Sequence, residues 1–208
     1  MKKEKGCSTW TLGTALLSSS LFVVLLCAVV FGSTFLPQIA VLDMRIDSAL
    51  PSSTSFFWPA ITLFGGPVFL MIVGLVIVSV LLQQQRIREA GVFFSVVALG
   101  LLLDLGIKAF VARGRPDGSE LAGAFYSFPS GHALMATVIY GAILLFFWKP
   151  RLRIAAAATT LFILLIGTSR VLLHRHYASD VIAGFLLGIA VLAGTVFCEK
   201  ALRSLRTR

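Results

Sequence analysis

Six long apolar stretches divide the chain, at about Leu12–Leu36, Ile61–Leu82, Gly91–Val111, Ser130–Trp148, Ile154–Thr168 and Asp180–Cys198. A membrane span needs about 20 mostly apolar residues, and several of these stretches qualify. Apolar residues make up 58% of the 208 positions and charged residues only 13%. A soluble domain carries about a quarter charged residues, so lipid is the expected solvent. Backbone polar groups in hydrocarbon must be satisfied within the segment, which makes each stretch a helix. None alternates with a period of two, which argues against a lipid-facing barrel. The expectation is an all-α bundle of six transmembrane helices, one domain over residues 1–208, with its motif-bearing core at about 91–198.

The first stretch follows Met-Lys-Lys-Glu-Lys, as a signal peptide would. Its apolar run is longer than a usual signal core, and no clear small-x-small cleavage site follows. A retained span is expected. Cys7, Cys27 and Cys198 have no metal-ligand spacing and read as inert filler.

The net charge of +9 follows from topology. With six spans, the N-terminus, Gln83–Ala90, Lys149–Arg153 and the C-terminus share one side. That side holds twelve of the 18 basic residues and three of the nine acids, and so carries the whole excess. The positive-inside rule makes it cytoplasmic, with both termini there. Orientation and anionic headgroups account for the charge, and no nucleic-acid partner is needed. The other side carries Arg45, Lys108, Arg113, Arg115, Arg170 and Arg175. Five of these six fall in two segments, which marks a site. The connection Phe31–Ala60 lies on this side, with Phe56, Phe57 and Trp58 as interfacial anchors and Asp43 and Asp47 in a solvated loop by default.

Three segments at outward span ends carry chemistry. They are Lys108 to Pro116, Pro129-Ser130-Gly131-His132, and Ser169 to Asp180. Lys108, Arg115 and Arg170 offer an anion three positive charges, as forks and a point charge. Ser130 is placed to cap the fourth helix, and Gly131 allows close approach to its N-terminal N–H groups. His176 and Asp180 are four apart and share a helical face. Asp180 is expected to accept a hydrogen bond from one imidazole nitrogen, which leaves the other free to attack phosphorus. His132 stands ready to protonate a leaving oxygen. Asp104, four residues before Lys108, reads as a carboxylate orienting that amine. His174 reads as solvent-facing or structural, and Arg113 and Arg175 as variable neighbours. Gly184 and Gly188 read as a close helix contact.

The arrangement resembles the type 2 phosphatidic acid phosphatase superfamily, which includes the vanadium haloperoxidases. Its pattern is Lys-x6-Arg-Pro, Pro-Ser-Gly-His and Ser-Arg-x5-His-x3-Asp, matched here at every position. The resemblance implies a phosphohistidine on His176, oriented by Asp180, with His132 as general acid. Lys108, Arg115, Ser130, Gly131 and Arg170 would bind phosphate oxygens, Ser169 would stand behind them or join them, and no cofactor or metal is implied. The expected substrate is a lipid phosphate or diphosphate, undecaprenyl diphosphate first, then phosphatidylglycerol phosphate or phosphatidic acid. The site would face the periplasm or exterior, with no obligate protein partner. A lipid phosphotransferase using the same intermediate is the alternative, and a non-catalytic scaffold a remote one.

Overall fold

A computed structural model describes residues 35–51, 55–118, 126–147 and 153–206. Most of the first apolar stretch, the basic N-terminal tail, Cys7 and Cys27 lie outside these residues. Every regular element described is a helix. These are α1 (Leu36–Ala49), α2 (Phe57–Leu63), α3 (Pro67–Gln83), α4 (Ile87–Val111), α5 (Gly131–Phe147), α6 (Arg153–Leu172) and α7 (Ala178–Arg206).

Among the described residues, α4, α6 and α7 are long and apolar enough to cross a membrane, and the α2–α3 pair makes a fourth if counted as one span. Six spans are therefore not reached by that measure. The second stretch is the main departure from expectation. Gly65, Gly66 and Pro67 break it, and its halves are bent by 44°. Pro67 has no N–H to donate and starts α3 at a position where none is needed. The break serves packing. A Cβ on Gly65 would lie 2.4 Å from Ile166 Cγ2, so the turn sits directly on α6.

The fourth stretch forms α5, whose 17 residues rise only about 25 Å. It is the central helix. Ala133 through Tyr140 are all buried, among α3, α4, α6 and α7. A helix apolar on every side belongs in such a position. The outer helices instead expose Met71, Leu75, Phe94, Leu102 and Leu161, as a lipid-facing surface would.

Gly184 and Gly188 join α7 to α5 as expected. A Cβ on Gly184 would lie 2.6 Å from the Ser130 carbonyl oxygen, and one on Gly188 would lie 2.5 Å from Thr137 Cβ. This contact brings the start of α7 to the start of α5, where the Ser130 N–H donates to the Asp180 carbonyl at 3.0 Å.

Two left-handed residues end helices at the same end of the bundle. Ala112, at φ 49°, closes α4 and turns the chain back through Arg113 and Arg115. His174, at φ 54°, closes α6. There the Arg175 N–H donates to the Arg170 carbonyl and the His174 N–H to that of Val171, the paired bonds of a Schellman cap. The His176 N–H also reaches the Arg170 carbonyl at 3.2 Å, so the cap delivers His176 at a set height.

Candidate active site

Lys108 ends α4, Gly131 and His132 begin α5, Arg170 ends α6, and Asp180 lies in the first turn of α7. Arg115 and His176 stand in the adjoining turns. Lys108, Arg115, Gly131, His132, Arg170 and His176 line a single cavity of about 670 Å³, together with Asp104. The three segments thus meet as the sequence predicts.

His176 is buried, at 2% exposure. Its Nδ1 lies 2.8 Å from the Ser127 carbonyl oxygen. A carbonyl can only accept, so Nδ1 carries the proton and Nε2 keeps its lone pair. Nε2 lies 3.5 Å from Arg115 Nη1. The sequence spacing places the orienting bond on Asp180, but its Oδ2 lies 3.6 Å from Nδ1. That is close enough for charge attraction but too long for a hydrogen bond. Burial pushes the His176 imidazole below its ordinary range; Asp180 opposes this, and Arg170 and Arg115 add to it. The neutral ring is the form the site favours.

Asp180 is fully buried and held on several sides. Arg113 Nη1 donates to Oδ1 at 2.6 Å, and the Tyr177 N–H donates to Oδ2 at 2.9 Å. The Ser127 hydroxyl also bonds Oδ2. The Tyr177 bond is one half of a capping box, in which an acid at the third helical position reaches back to the N-cap N–H.

Lys108 pairs with Asp104 and donates to the Pro129 carbonyl at 2.8 Å, so Asp104 does hold the amine as predicted. A Cβ on Gly131 would lie 3.1 Å from Asp104 Oδ2, so a side chain there would have to push the carboxylate aside by a few tenths of an ångström. Arg170 Nη1 donates to Thr62 Oγ1 at 2.9 Å, and Arg170 Nε is buried without a partner. Ser130 stands at the N-cap position of α5, but its hydroxyl makes no capping bond and is buried unpartnered. An unpaired buried donor is costly unless a ligand completes it.

The Ser169 hydroxyl donates to the Ile166 carbonyl at 2.6 Å, within its own helix, and Ser169 stands outside the cavity lining, next to Arg170 in the chain and not among the groups that face the cavity. His174 is structural, with Nδ1 2.8 Å from Asp47 Oδ1. Arg175 pairs with Asp117 at an exposed position. Asp43 and Asp47 do not lie in a solvated loop. Both are on α1, and Asp43 is buried against Arg113 and Ser179.

Three participants were not legible as such. Ser127 acts through its carbonyl, which no residue type signals. Arg113 was visible as one of the outward basic residues. Asp43 was visible only as an acid in a mostly apolar connection.

The family profile of the PAP2 superfamily matches residues 8–203. The chain belongs to this superfamily. Lipid A 1-phosphatase of Rhizobium johnstonii is 37% identical over 126 residues, covering 54% of this chain and 49% of that protein. Lipid A 1-phosphatase of Rhizobium etli is 38% identical over 126 residues, covering 54% and 52%. The match thus spans about half the length of these two relatives. Phosphatidylglycerophosphatase B of Bacillus subtilis is 29% identical over 136 residues, covering 62% of this chain and 67% of that protein. Two crystal structures share the fold. One is a transmembrane PAP2-type phosphatidylglycerolphosphate phosphatase from Bacillus subtilis, with TM-score 0.72 and 22% identity over 90% of this chain and 97% of that one. The other is LpxE of Aquifex aeolicus, with TM-score 0.56 and 22% identity over 77% and 94%. The apolar helices and these relatives make this PAP2 protein an integral membrane protein.

Proposed function

We propose that this PAP2 protein hydrolyses the phosphate group of a membrane lipid through a phosphohistidine on His176. One observation carries the reading. The cavity that holds the motif residues continues into an apolar wall made by Leu70, Met71, Leu75, Phe94, Val97 and Leu101 of α3 and α4. Met71, Leu75, Phe94 and Leu101 in this wall are exposed. A phosphate at the charged end would leave its acyl chain against α3 and α4, in contact with lipid.

The chemistry runs in two steps. His176 Nε2 attacks phosphorus, the bond from phosphorus to the lipid oxygen breaks, and His132 protonates that oxygen. Water then attacks the phosphohistidine, His132 takes the water's proton, orthophosphate leaves, and Nε2 regains its lone pair. The Nδ1 proton stays on His176, donated to the Ser127 carbonyl, throughout. Lys108, Arg115 and Arg170 offset the charge on the phosphate oxygens, and the unpartnered Arg170 Nε supplies a further donor, while the unpartnered Ser130 hydroxyl lies outside the cavity lining. With three cations in place, no metal is needed for that charge. Among the described residues no three His, Cys, Asp or Glu side chains come together as a metal site. The distribution of Lys and Arg supports a cavity that opens on the non-cytoplasmic face, with both termini cytoplasmic.

The relatives are named for lipid A 1-phosphate and phosphatidylglycerophosphate, so those two lead as substrates. Undecaprenyl diphosphate follows them, because none of the three relatives named above is named for it. The test is phosphate release by the purified protein from these three lipids and phosphatidic acid, in excess chelator, with and without an acceptor lipid. Release from at least one lipid is expected, unchanged by chelator or acceptor and lost in His176→Ala. Full activity in His176→Ala overturns the mechanism. A strict need for a divalent ion overturns the metal-free cradle, and phosphate passing to the acceptor makes the protein a transferase.

A further inference from the structure

Behind the nucleophile, away from the cavity, lies a second group of buried charges. Arg113 bridges two carboxylates. Its Nη1 donates to Asp180 Oδ1 at 2.6 Å and its Nη2 to Asp43 Oδ2 at 2.7 Å. Its Nη1 also donates to Ser179 Oγ at 2.7 Å, and its guanidinium lies 4.2 Å from the Tyr177 ring centre. Asp43 completes the set from α1. Its Oδ1 accepts the Ser179 N–H at 3.2 Å, and its Oδ2 accepts the Ser179 hydroxyl.

Burying two carboxylates and a guanidinium is expensive, even when they are paired. The orientation of α1 is equally telling. Val41, Leu42 and Met44 are exposed, whereas Asp43 between them is 2% exposed. This helix turns its carboxylate inward and its apolar side chains outward, as suits an element lying at a lipid surface. Its inward contribution to α7 is a charge and a cap on the second residue of that helix.

We propose that Asp43 and Arg113 are positioning residues for phosphoryl transfer, which hold Asp180 and, through Ser127, the nucleophile His176. The inference rests on the phosphatase reading above. Arg113 fixes Oδ1 of Asp180, so Oδ2 is left toward Tyr177 N–H, the Ser127 hydroxyl and the His176 ring. The Ser127 hydroxyl ties Asp180 to the residue whose carbonyl holds Nδ1. The Ser127 N–H in turn donates to the Arg113 carbonyl at 2.8 Å, so Arg113 holds both Asp180 and the Ser127 backbone. A planar fork bridges the two carboxylates with separate nitrogens in a fixed geometry, which the single nitrogen of an ammonium does not reproduce. Asp43, Arg113, Ser127 and Asp180 are all absent from the cavity wall. Loss of the pair should therefore affect the chemical step and leave lipid binding alone.

The test is steady-state kinetics of the full chain in detergent, on a lipid phosphate that the wild type hydrolyses. Asp43→Asn and Arg113→Lys are each expected to lower kcat by about 10–100-fold, since a small misplacement of a reacting group costs up to about a hundredfold. KM is expected to stay within about threefold of wild type, as for interactions made only in the transition state. The double variant should be no worse than the poorer single, because the two act as one unit. Asp43→Glu, which keeps the charge, should recover most of the kcat lost in Asp43→Asn. Wild-type kcat in both single variants overturns the proposal, as do additive losses or a rise in KM that accounts for the whole effect. Should Asp43→Asn fail to fold, Arg113→Lys and Asp43→Glu carry the same kinetic test. A wild type that releases no phosphate, or a His176→Ala variant that still does, sinks the phosphatase reading itself. That result is separate from wild-type-like kcat in the Asp43 and Arg113 variants.

Discussion

The imidazole of His176 is held by the backbone carbonyl of Ser127, 2.8 Å from Nδ1, and not by the carboxylate of Asp180, 3.6 Å away. Orientation and charge therefore come from different groups. The carbonyl sets which nitrogen is protonated, and the carboxylate sets the field in which a positive ring or phosphohistidine would form.

That division predicts a mild effect of Ser127→Ala. The carbonyl remains, so the tautomer remains. The loss is the hydroxyl bond to Asp180 Oδ2, which still accepts the Tyr177 N–H. A hydrogen bond to a charged group contributes about 1.5–3 kcal/mol, so thermal unfolding in detergent should show a loss in that range. We expect kcat to fall less than in Asp180→Ala, which removes the charge as well. Equal losses in the two variants would show that the hydroxyl, and not the field of Asp180, supports the reaction.

Activity should persist into mild acid. Neutral His176 is the attacking form, and burial holds its pKa below the ordinary 6.5. Arg170 and Arg115 push in the same direction and Asp180 opposes them. A lowered pKa keeps the ring neutral at pH values where a free imidazole would already be charged. The acid limb of kcat/KM, corrected for titration of the substrate phosphate, is expected to have its midpoint below 6.5. A midpoint at or above that value would contradict a desolvated nucleophile.

His174 tests how the nucleophile is delivered. Its left-handed conformation costs a residue with a Cβ about 1–2 kcal/mol. The hydrogen bond to Asp47 offsets part of that. His174→Gly exchanges the contact for freedom at φ 54°, and should stay within about 1 kcal/mol of wild type with activity retained. His174→Val loses the contact and keeps a strained, branched residue, so a loss of about 2–3 kcal/mol and a large fall in kcat are expected. Thermal unfolding and phosphate release measure both. A valine variant as active as the glycine variant would show that the α6 cap does not position His176.

Much of this site was legible because its chemistry sits in side chains with few other uses. Lys108, Arg115, His132, Arg170 and His176 stand at or beside the ends of apolar helices, where lone charges are disfavoured, and all of them reach one cavity. Gly184 and Gly188 were legible because small residues four apart mark a close helix contact. Asp43 was not legible, because its partner Ser179 lies 136 positions away and no local period links them. Ser130 and Ser169 show the limit of position alone. The first stands at an N-cap but its hydroxyl makes no cap bond, and the second turns its hydroxyl into its own helix. The break in the second apolar stretch is similar. Gly65, Gly66 and Pro67 permit a bend, but only the seat of Gly65 on Ile166 shows that the bundle uses one.

The contact of α7 with α5 should be intolerant of even one methyl group. In Gly184→Ala the new Cβ meets the Ser130 carbonyl oxygen, which is backbone and cannot swing aside. Overpacking of this kind costs about 1–3 kcal/mol. Because Ser130 also bonds the Asp180 carbonyl, the displacement passes into the site and kcat should fall. Gly91→Ala is the control, since a Cβ there meets nothing within 4 Å. That variant should be neutral or up to about 1 kcal/mol more stable. Equal unfolding midpoints for the two variants would remove the steric argument.

The apolar wall of the cavity can be tested apart from its charged end. Gly74 lies on α3 within that wall, and a Cβ there meets only the Phe93 ring, at 3.7 Å. Gly74→Leu therefore adds a side chain where a lipid tail would lie, without touching the motif residues. Losing about ten carbon contacts at about 0.15 kcal/mol each weakens binding by about 1.5 kcal/mol, or roughly tenfold. KM for a long-chain lipid phosphate is expected to rise by that factor. For a small soluble aryl phosphate, which reaches only the charged end, kcat/KM should change less than about twofold, because none of its contacts is removed. Parallel loss on both substrates would mean that the leucine disturbs the cradle and that the wall does not bind the tail. An unchanged KM for the lipid would mean that the tail leaves the cavity by another route.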